Sequence, residues 1–169
     1  MEFTKLIRSR YSVRAYKPDP VEDDKLQKVL EAARLAPTAA NRQPFQIIVA
    51  HTTGREAELE QVYHREWFLQ APLVLLICGL SKEAWVRRDG KCYQDADAAI
   101  VMTHIILAAA EQDLGTCIVA AFDPLAAREV FGLPGDVEPL LLTPLGYPND
   151  LPLPKERKQL ADLVRWEHW

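Results

Sequence analysis

The sequence predicts a single α/β or α+β sandwich over residues 1–169, built around one strongly apolar helix. Three observations predict it. Helix-length and strand-length apolar segments alternate along most of the chain. The run PLVLLICGL, residues 72–80, is continuously apolar over a strand's length, which marks a strand buried on both faces. The run ADAAIVMTHIILAAA, residues 96–110, is apolar nearly all round a helical wheel, so every side of it needs cover. A chain of 169 residues has little left to wrap such a helix, and a partner subunit is expected against it.

Composition narrows the class. The chain is 49% hydrophobic and 26% charged, as a globular domain is. A net charge of −4 argues against a protein built mainly to hold nucleic acid, but leaves room for a small anion held by a local basic cluster. The start MEFTKLIRSR carries no apolar leader, and the apolar runs are too short or interrupted to span a bilayer, so a cytoplasmic protein is expected. Cys78, Cys92 and Cys117 make an odd count without a Cys-x-x-Cys, which argues against a disulfide framework. Cys78 and Cys117 lie in apolar runs and read as buried; Cys92 reads as exposed.

The elements follow in order. Met1–Arg8 suits a short helix with Phe3, Leu6 and Ile7 on one face. Val21–Ala36 is a helix: Leu26, Val29, Leu30 and Ala33 share a face, Glu22, Asp23 and Asp24 suit its first turn, and Pro37 stops it. PTAANRQPF reads as a loop and FQIIVAH as a strand. Gly54–Phe68 carries a helix, residues 72–80 a strand, and Ser81–Gly90 a loop. The apolar helix spans Gln94–Asp113, with Asp95 and Asp97 in its acidic first turn and Gly115 as its C-cap. TCIVAAF is a strand, and Pro124–Phe131 a short helix capped by Asp123. VEPLLLTPLGYP is a strand in which Pro144 implies an edge or a bulge, and the tail is extended, then helical from Glu156.

Chemistry-bearing residues are few. In RSRYSVRAY, residues 8–16, the side chains of Arg8, Arg10, Ser12 and Arg14 fall on alternate positions. On an extended chain they share one face, and such a row suits a phosphate: arginine forks give bidentate bonds and serine a short hydroxyl bond. The alternative is a solvated basic turn whose arginines pair with Asp19 or Glu22. Lys155 and Arg157 form a second basic pair. Seven glycines form neither G-x-G-x-x-G nor a P-loop, so side chains would do the holding. His51, His64, His104 and His168 make no metal-ligand spacing, and His104 reads as a satisfied residue of the apolar helix. Tyr63, Trp67, Phe68, Trp85 and Tyr93 either wall a pocket for a flat ligand or pack as ordinary core. A chain with so few reactive groups needs a cofactor to supply any reaction.

Five segments, in order and over the whole length, resemble the FMN-dependent nitroreductase-like oxidoreductases: RSRYSVRAY, APTAANRQPFQIIV, APLVLLIC with residues 95–123 after it, PLGYP and LPKER. The resemblance implies an α+β sandwich with a central, mostly antiparallel sheet flanked by helices. It implies a homodimer joined along the long apolar helix, with FMN at the subunit interface. Arg10, Tyr11, Ser12 and Arg14 match the positions that hold the FMN phosphate and ribityl chain, and Lys155 and Arg157 those that return to the same phosphate. Pro37, Thr38, Ala39, Asn41 and Gln43 match the loop that the partner brings over the flavin. Ala120 and Ala121 lie where a backbone N–H approaches flavin N5, although longer members often carry Glu-Gly there. The implied activity is reduction of small acceptors, such as nitroaromatics or quinones, with NADH or NADPH as reductant. The alternative is an FMN or nucleotide carrier or sensor without turnover. The segment SKEAWVRRDGKCYQ is short where longer members shape a substrate channel.

Overall fold

A computed structural model describes residues 2–169. Met1, assigned to the first helix by its sequence, lies outside the described residues. The fold is α+β, a four-stranded antiparallel sheet in the order β1-β2-β4-β3 with helices on both faces. The elements are α1 (Phe3–Ser9), α2 (Asp23–Arg34), a 3₁₀ turn (Ala39–Asn41), β1 (Phe45–His51), α3 (Glu56–Val62), α4 (Glu66–Gln70), β2 (Leu73–Leu80), α5 (Gln94–Glu111), β3 (Gly115–Thr116), α6 (Pro124–Val130), β4 (Val137–Gly146) and α7 (Leu160–Leu163). No helix among the described residues is long and apolar enough to cross a membrane.

β2 is the spine, buried from Leu73 to Gly79. Its alternation splits the core in two. Leu73, Leu75 and Ile77 pack with Val29 and Ala33 of α2 and Val101, Met102 and Ile105 of α5. Val74, Leu76 and Cys78 face Leu59 and Val62 of α3, Phe68 of α4 and Ala127 of α6. Each large apolar side chain in these layers contributes about 1.5–3 kcal/mol of transfer free energy.

α5 buries one long face, Ala98, Val101, Met102, Ile105, Ile106 and Ala109. Its other face is not covered within this chain: Ala96, Ala99, Ile100 and Thr103 are exposed in a stripe at helical spacing. The helix stops at Asp113, which takes a left-handed conformation (φ 61°). Asp113 therefore does the job expected of Gly115. Gly115 is instead the point where the N-terminal segment crosses closely, and a Cβ there would lie 2.6 Å from Val13 Cγ2.

Other boundaries moved for identifiable reasons. The helix expected over Gly54–Phe68 is two, because the Val62 carbonyl accepts from the Asp123 N–H at 2.9 Å and Tyr63 turns extended. The strand expected at TCIVAAF shrinks to β3 and a single bridge from Val119 to Leu142. Register would set Cys117 opposite Pro144, which has no N–H, and the Cys117 N–H donates to Thr143 Oγ1 at 3.2 Å. Pro144 is not in a bulge: it sits in register with Val74, the register shift falls between Ile77 and Cys78, and its other flank is open because β3 ends at Thr116, opposite Leu145. The tail is helical only over α7, because residues 151–163 are exposed and a short helix with nothing to pack on does not propagate back to Glu156.

Candidate functional site

The N-terminal segment from Arg10 to Tyr16 is extended, as its alternation predicts. Ser12 bridges Thr116, the Val13 N–H donates to the Thr116 carbonyl at 2.9 Å, and Tyr16 bridges Pro148. Val13 and Tyr16 point into the core, at 1% and 4% exposure. Arg10, Ser12 and Arg14 alternate with Val13 and line a cleft of about 470 Å³ together with Tyr11, while Tyr16 turns inward although it shares their phase. Arg8 does not join the row, because it belongs to the last turn of α1.

The chain leaving β4 closes the cleft. Asp150 Oδ2 accepts from the Arg14 N–H at 2.7 Å, and the Tyr11 hydroxyl donates to the Asp150 carbonyl at 2.8 Å and to Oδ1 at 3.1 Å. Burial, then the bond to Asp150, pushes the Tyr11 phenol up to about 12, so it stays a neutral donor. Lys155 reaches back to donate to the Arg8 carbonyl at 2.5 Å and to the Arg10 carbonyl. Lys155 and Arg157 thereby line the same cleft as Arg10 and Arg14. Lys155 is held below the usual lysine range by desolvation, then by the positive charges of Arg10 and Arg157. None of these cations forms an ion pair among the described residues; Glu22, the alternative partner, bonds Tyr147 and Lys25. A smaller recess of about 230 Å³ adjoins, shared by Arg10 and Tyr11 and floored by Ala110, Leu114 and Gly115 at the C-terminal end of α5. Asp150 was missed in the sequence; its signal was its place after the turn-forming Pro-Asn.

The second predicted cluster stands apart. Residues 38–43 form a tight loop with three non-glycine left-handed residues, Ala40 (φ 51°), Asn41 (φ 52°) and Gln43 (φ 52°). Within it the Asn41 N–H donates to the Thr38 carbonyl at 3.0 Å and the Gln43 N–H to Thr38 Oγ1 at 3.0 Å. The Ala39 N–H donates to Asp97 Oδ1 at 2.7 Å, at the N-terminal end of α5. Thirteen residues of helix, about 20 Å, separate Asp97 from Ala110 in the recess beside the cleft. One chain thus places the loop and the basic cleft at opposite ends of the same helix. Ala120 and Ala121 follow the Val119 bridge, are exposed, and their N–H groups make no hydrogen bond among the described residues.

Asp97 stands in the first turn of α5, as its sequence predicts, and has a second tie there. It is 2% exposed and bonded to a residue 58 positions away. His104 is satisfied as expected, its Nδ1 lying 3.1 Å from the Ala32 carbonyl. Tyr63, Trp67 and Phe68 pack edge-to-face around the second core layer, and Trp85 on Tyr93, so the aromatics do not wall the cleft.

The model of the Nitroreductase family matches residues 7–65 and 54–147. The chain is 27% identical over 188 residues to an NADH dehydrogenase of Thermus thermophilus, covering 93% of this chain and 92% of that one. It is 26% identical over 173 residues to an FMN reductase [NAD(P)H] of Bacillus subtilis, covering 92% and 70%. The crystal structure of a nitroreductase family protein from Clostridium difficile superposes with a TM-score of 0.89 at 38% identity, over 100% of both chains.

Proposed function

This chain belongs to the Nitroreductase family, and from that premise we propose that it is an FMN-dependent NAD(P)H oxidoreductase. It works as a cytoplasmic homodimer and reduces small acceptors such as nitroaromatics or quinones. The observation that carries the reading is the cluster of four cations in the cleft. Arg10, Arg14, Lys155 and Arg157 line it beside Asp150 and Glu156 without forming an ion pair among the described residues, and desolvation first, then the charges of Arg10 and Arg157, depresses Lys155. Such crowding costs free energy unless an anion relieves it. The FMN phosphate is an anion of the right charge, and Ser12 adds a hydroxyl donor. The residues present therefore fit the group.

Bound FMN supplies hydride transfer between NAD(P)H and the acceptor, which no side chain here can supply. The protein's own contribution is binding and orientation. Arg10 and Arg14 neutralise the phosphate from one wall and Lys155 and Arg157 from the other. Asp150 fixes the Arg14 backbone and the Tyr11 ring, so that the wall is set before ligand arrives. The free N–H groups of Ala120 and Ala121 are assigned to the flavin's ring edge.

The same placement supports the homodimer. The loop at Pro37, Thr38, Ala39, Asn41 and Gln43 lies about 20 Å along α5 from its own chain's cleft. That separation favours a loop supplied to the flavin by a second copy. The uncovered stripe on α5 and the exposed Leu151, Leu153, Leu160, Leu163, Trp166 and Trp169 are apolar surface of the kind such a partner covers.

An anaerobic absorbance spectrum before and after NADH or NADPH tests the reading. A flavin spectrum that bleaches with either donor is the expected result. Bound flavin that stays oxidised with both makes the protein a carrier or sensor, and a protein that takes up no FMN sinks the proposal.

A further inference from the structure

The geometry points to Asp97 as a positioning residue that presets the 38–43 loop for flavin, through the single bond from the Ala39 N–H to its Oδ1. This deepens the FMN reading and rests on it.

The loop holds Ala40, Asn41 and Gln43 in left-handed conformations that side chains with a Cβ seldom adopt. Such conformations persist only where their surroundings over-determine them. Most of the loop's hydrogen bonds are internal, from Asn41, Arg42 and Gln43 back to Thr38 and Ala39. Two tie it to distant elements: Ala39 N–H to Asp97 Oδ1 at 2.7 Å, and Arg42 Nη1 to the Ala84 carbonyl at 3.2 Å. Arg42 reaches from an exposed side chain to another loop. Asp97 reaches from the first turn of α5, the most extensively packed helix, and is the rigid anchor.

Asp97 is a poor choice for stability alone. It is 2% exposed, and its Oδ2 is buried with no hydrogen-bond partner among the described residues. Burying a carboxylate with one oxygen unsatisfied is unfavourable. A small residue would fill the first turn at less cost to the fold. The arrangement makes sense where a fixed loop is worth more than the free energy lost, and the loop it fixes is the one assigned to the flavin. Preorganising a loop raises affinity by removing the ordering cost at binding.

The test compares wild type, Asp97→Ala, Asp97→Asn and Ala39→Pro. Asparagine keeps an acceptor oxygen at Oδ1. Proline removes the donor from the other side without touching α5, and Thr38 (φ −132°, ψ 160°) already has the geometry a residue before proline needs. Three readouts are taken: amide hydrogen exchange of residues 37–43 in the apoprotein, thermal unfolding of the apoprotein, and FMN titration with visible circular dichroism of the bound flavin. Asp97→Ala is expected to speed exchange across the loop and to unfold no lower than wild type. It is also expected to weaken FMN by about tenfold with an altered flavin dichroism. Asp97→Asn stays near wild type, and Ala39→Pro reproduces the alanine variant with no further loss when the two are combined. Unchanged loop exchange in Asp97→Ala overturns the inference whether or not flavin binds, as does an equal loss in Asp97→Asn. If Asp97→Ala fails to fold, Ala39→Pro decides alone, and wild-type FMN affinity in it sinks the idea. Wild type that takes up no FMN removes the FMN reading on its own evidence, and with it the purpose assigned to the anchor.

Discussion

At the scale of single residues, the alternation in RSRYSVRAY was readable because an extended chain needs only its own period to sort two faces. The structure keeps that sorting for Arg10, Ser12 and Arg14 and removes Arg8, which α1 claims. Arg14→Ala and Arg157→Ala are each expected to weaken FMN binding by about 1.5–3 kcal/mol with the fold intact, read by fluorescence titration. Equal affinity in both variants and wild type would move the phosphate elsewhere. Asp97 was opaque for the converse reason. Its partner lies 58 residues away, and an acid in the first turn of a helix already has a sufficient local explanation. Tyr11 gives a pH prediction. Its folded-state value of about 12 exceeds the ordinary 10, so its contribution to stability is complete below pH 10 and is lost as pH rises towards 12. Tyr16, raised in the same direction by deeper burial, adds to the effect. Tyrosinate absorbance at alkaline pH, with Tyr11→Phe as control, checks the sign.

Elements were legible where local chemistry and tertiary packing agree. β1 runs from Phe45 to His51 as its sequence indicated, because its β-branched run Ile47–Val49 is a local strand signal. α6 begins at Asp123, whose Oδ1 accepts from the Leu125 and Ala126 N–H groups at 2.9 and 3.0 Å. Asp123→Ala is expected to destabilise the protein by about 1 kcal/mol, visible as a lowered denaturant midpoint at unchanged slope. Elements were lost where one remote atom decided the outcome. The break between α3 and α4 depends on the Asp123 N–H, and the shortness of β3 on a proline in the neighbouring strand. Gly115 shows the same thing in a single position. Its spacing suggested a helix cap, and its reason is the Val13 side chain crossing over it. Gly115→Ala is expected to cost about 1–3 kcal/mol through overpacking, with a matching fall in melting temperature.

For the whole molecule, the apolar character of α5 raised the expectation of a partner from the sequence, but nothing in the sequence says which of its faces the chain itself would cover. The structure assigns the inward face to α2 and the sheet and leaves Ala99, Ile100 and Thr103 outside. The cysteines follow the same division between inside and outside. Cys78 and Cys117 are buried and Cys92 is exposed, and burial pushes the Cys78 thiol up to about 11. A thiol reagent at neutral pH is expected to label Cys92 alone in the folded protein, and all three after denaturation.

The tail carries one more consequence. Residues 151–163 are exposed without a break, and the bond from Lys155 to the backbone of Arg8 and Arg10 fastens them to the body. Two of the cations assigned to the phosphate, Lys155 and Arg157, sit on that strap. A ligand that clasps them closes the very peptide bonds a trypsin-like protease would cut. With FMN as that ligand, the lifetime of this polypeptide in a cell would track the supply of flavin, so that molecules left empty are the ones recycled first.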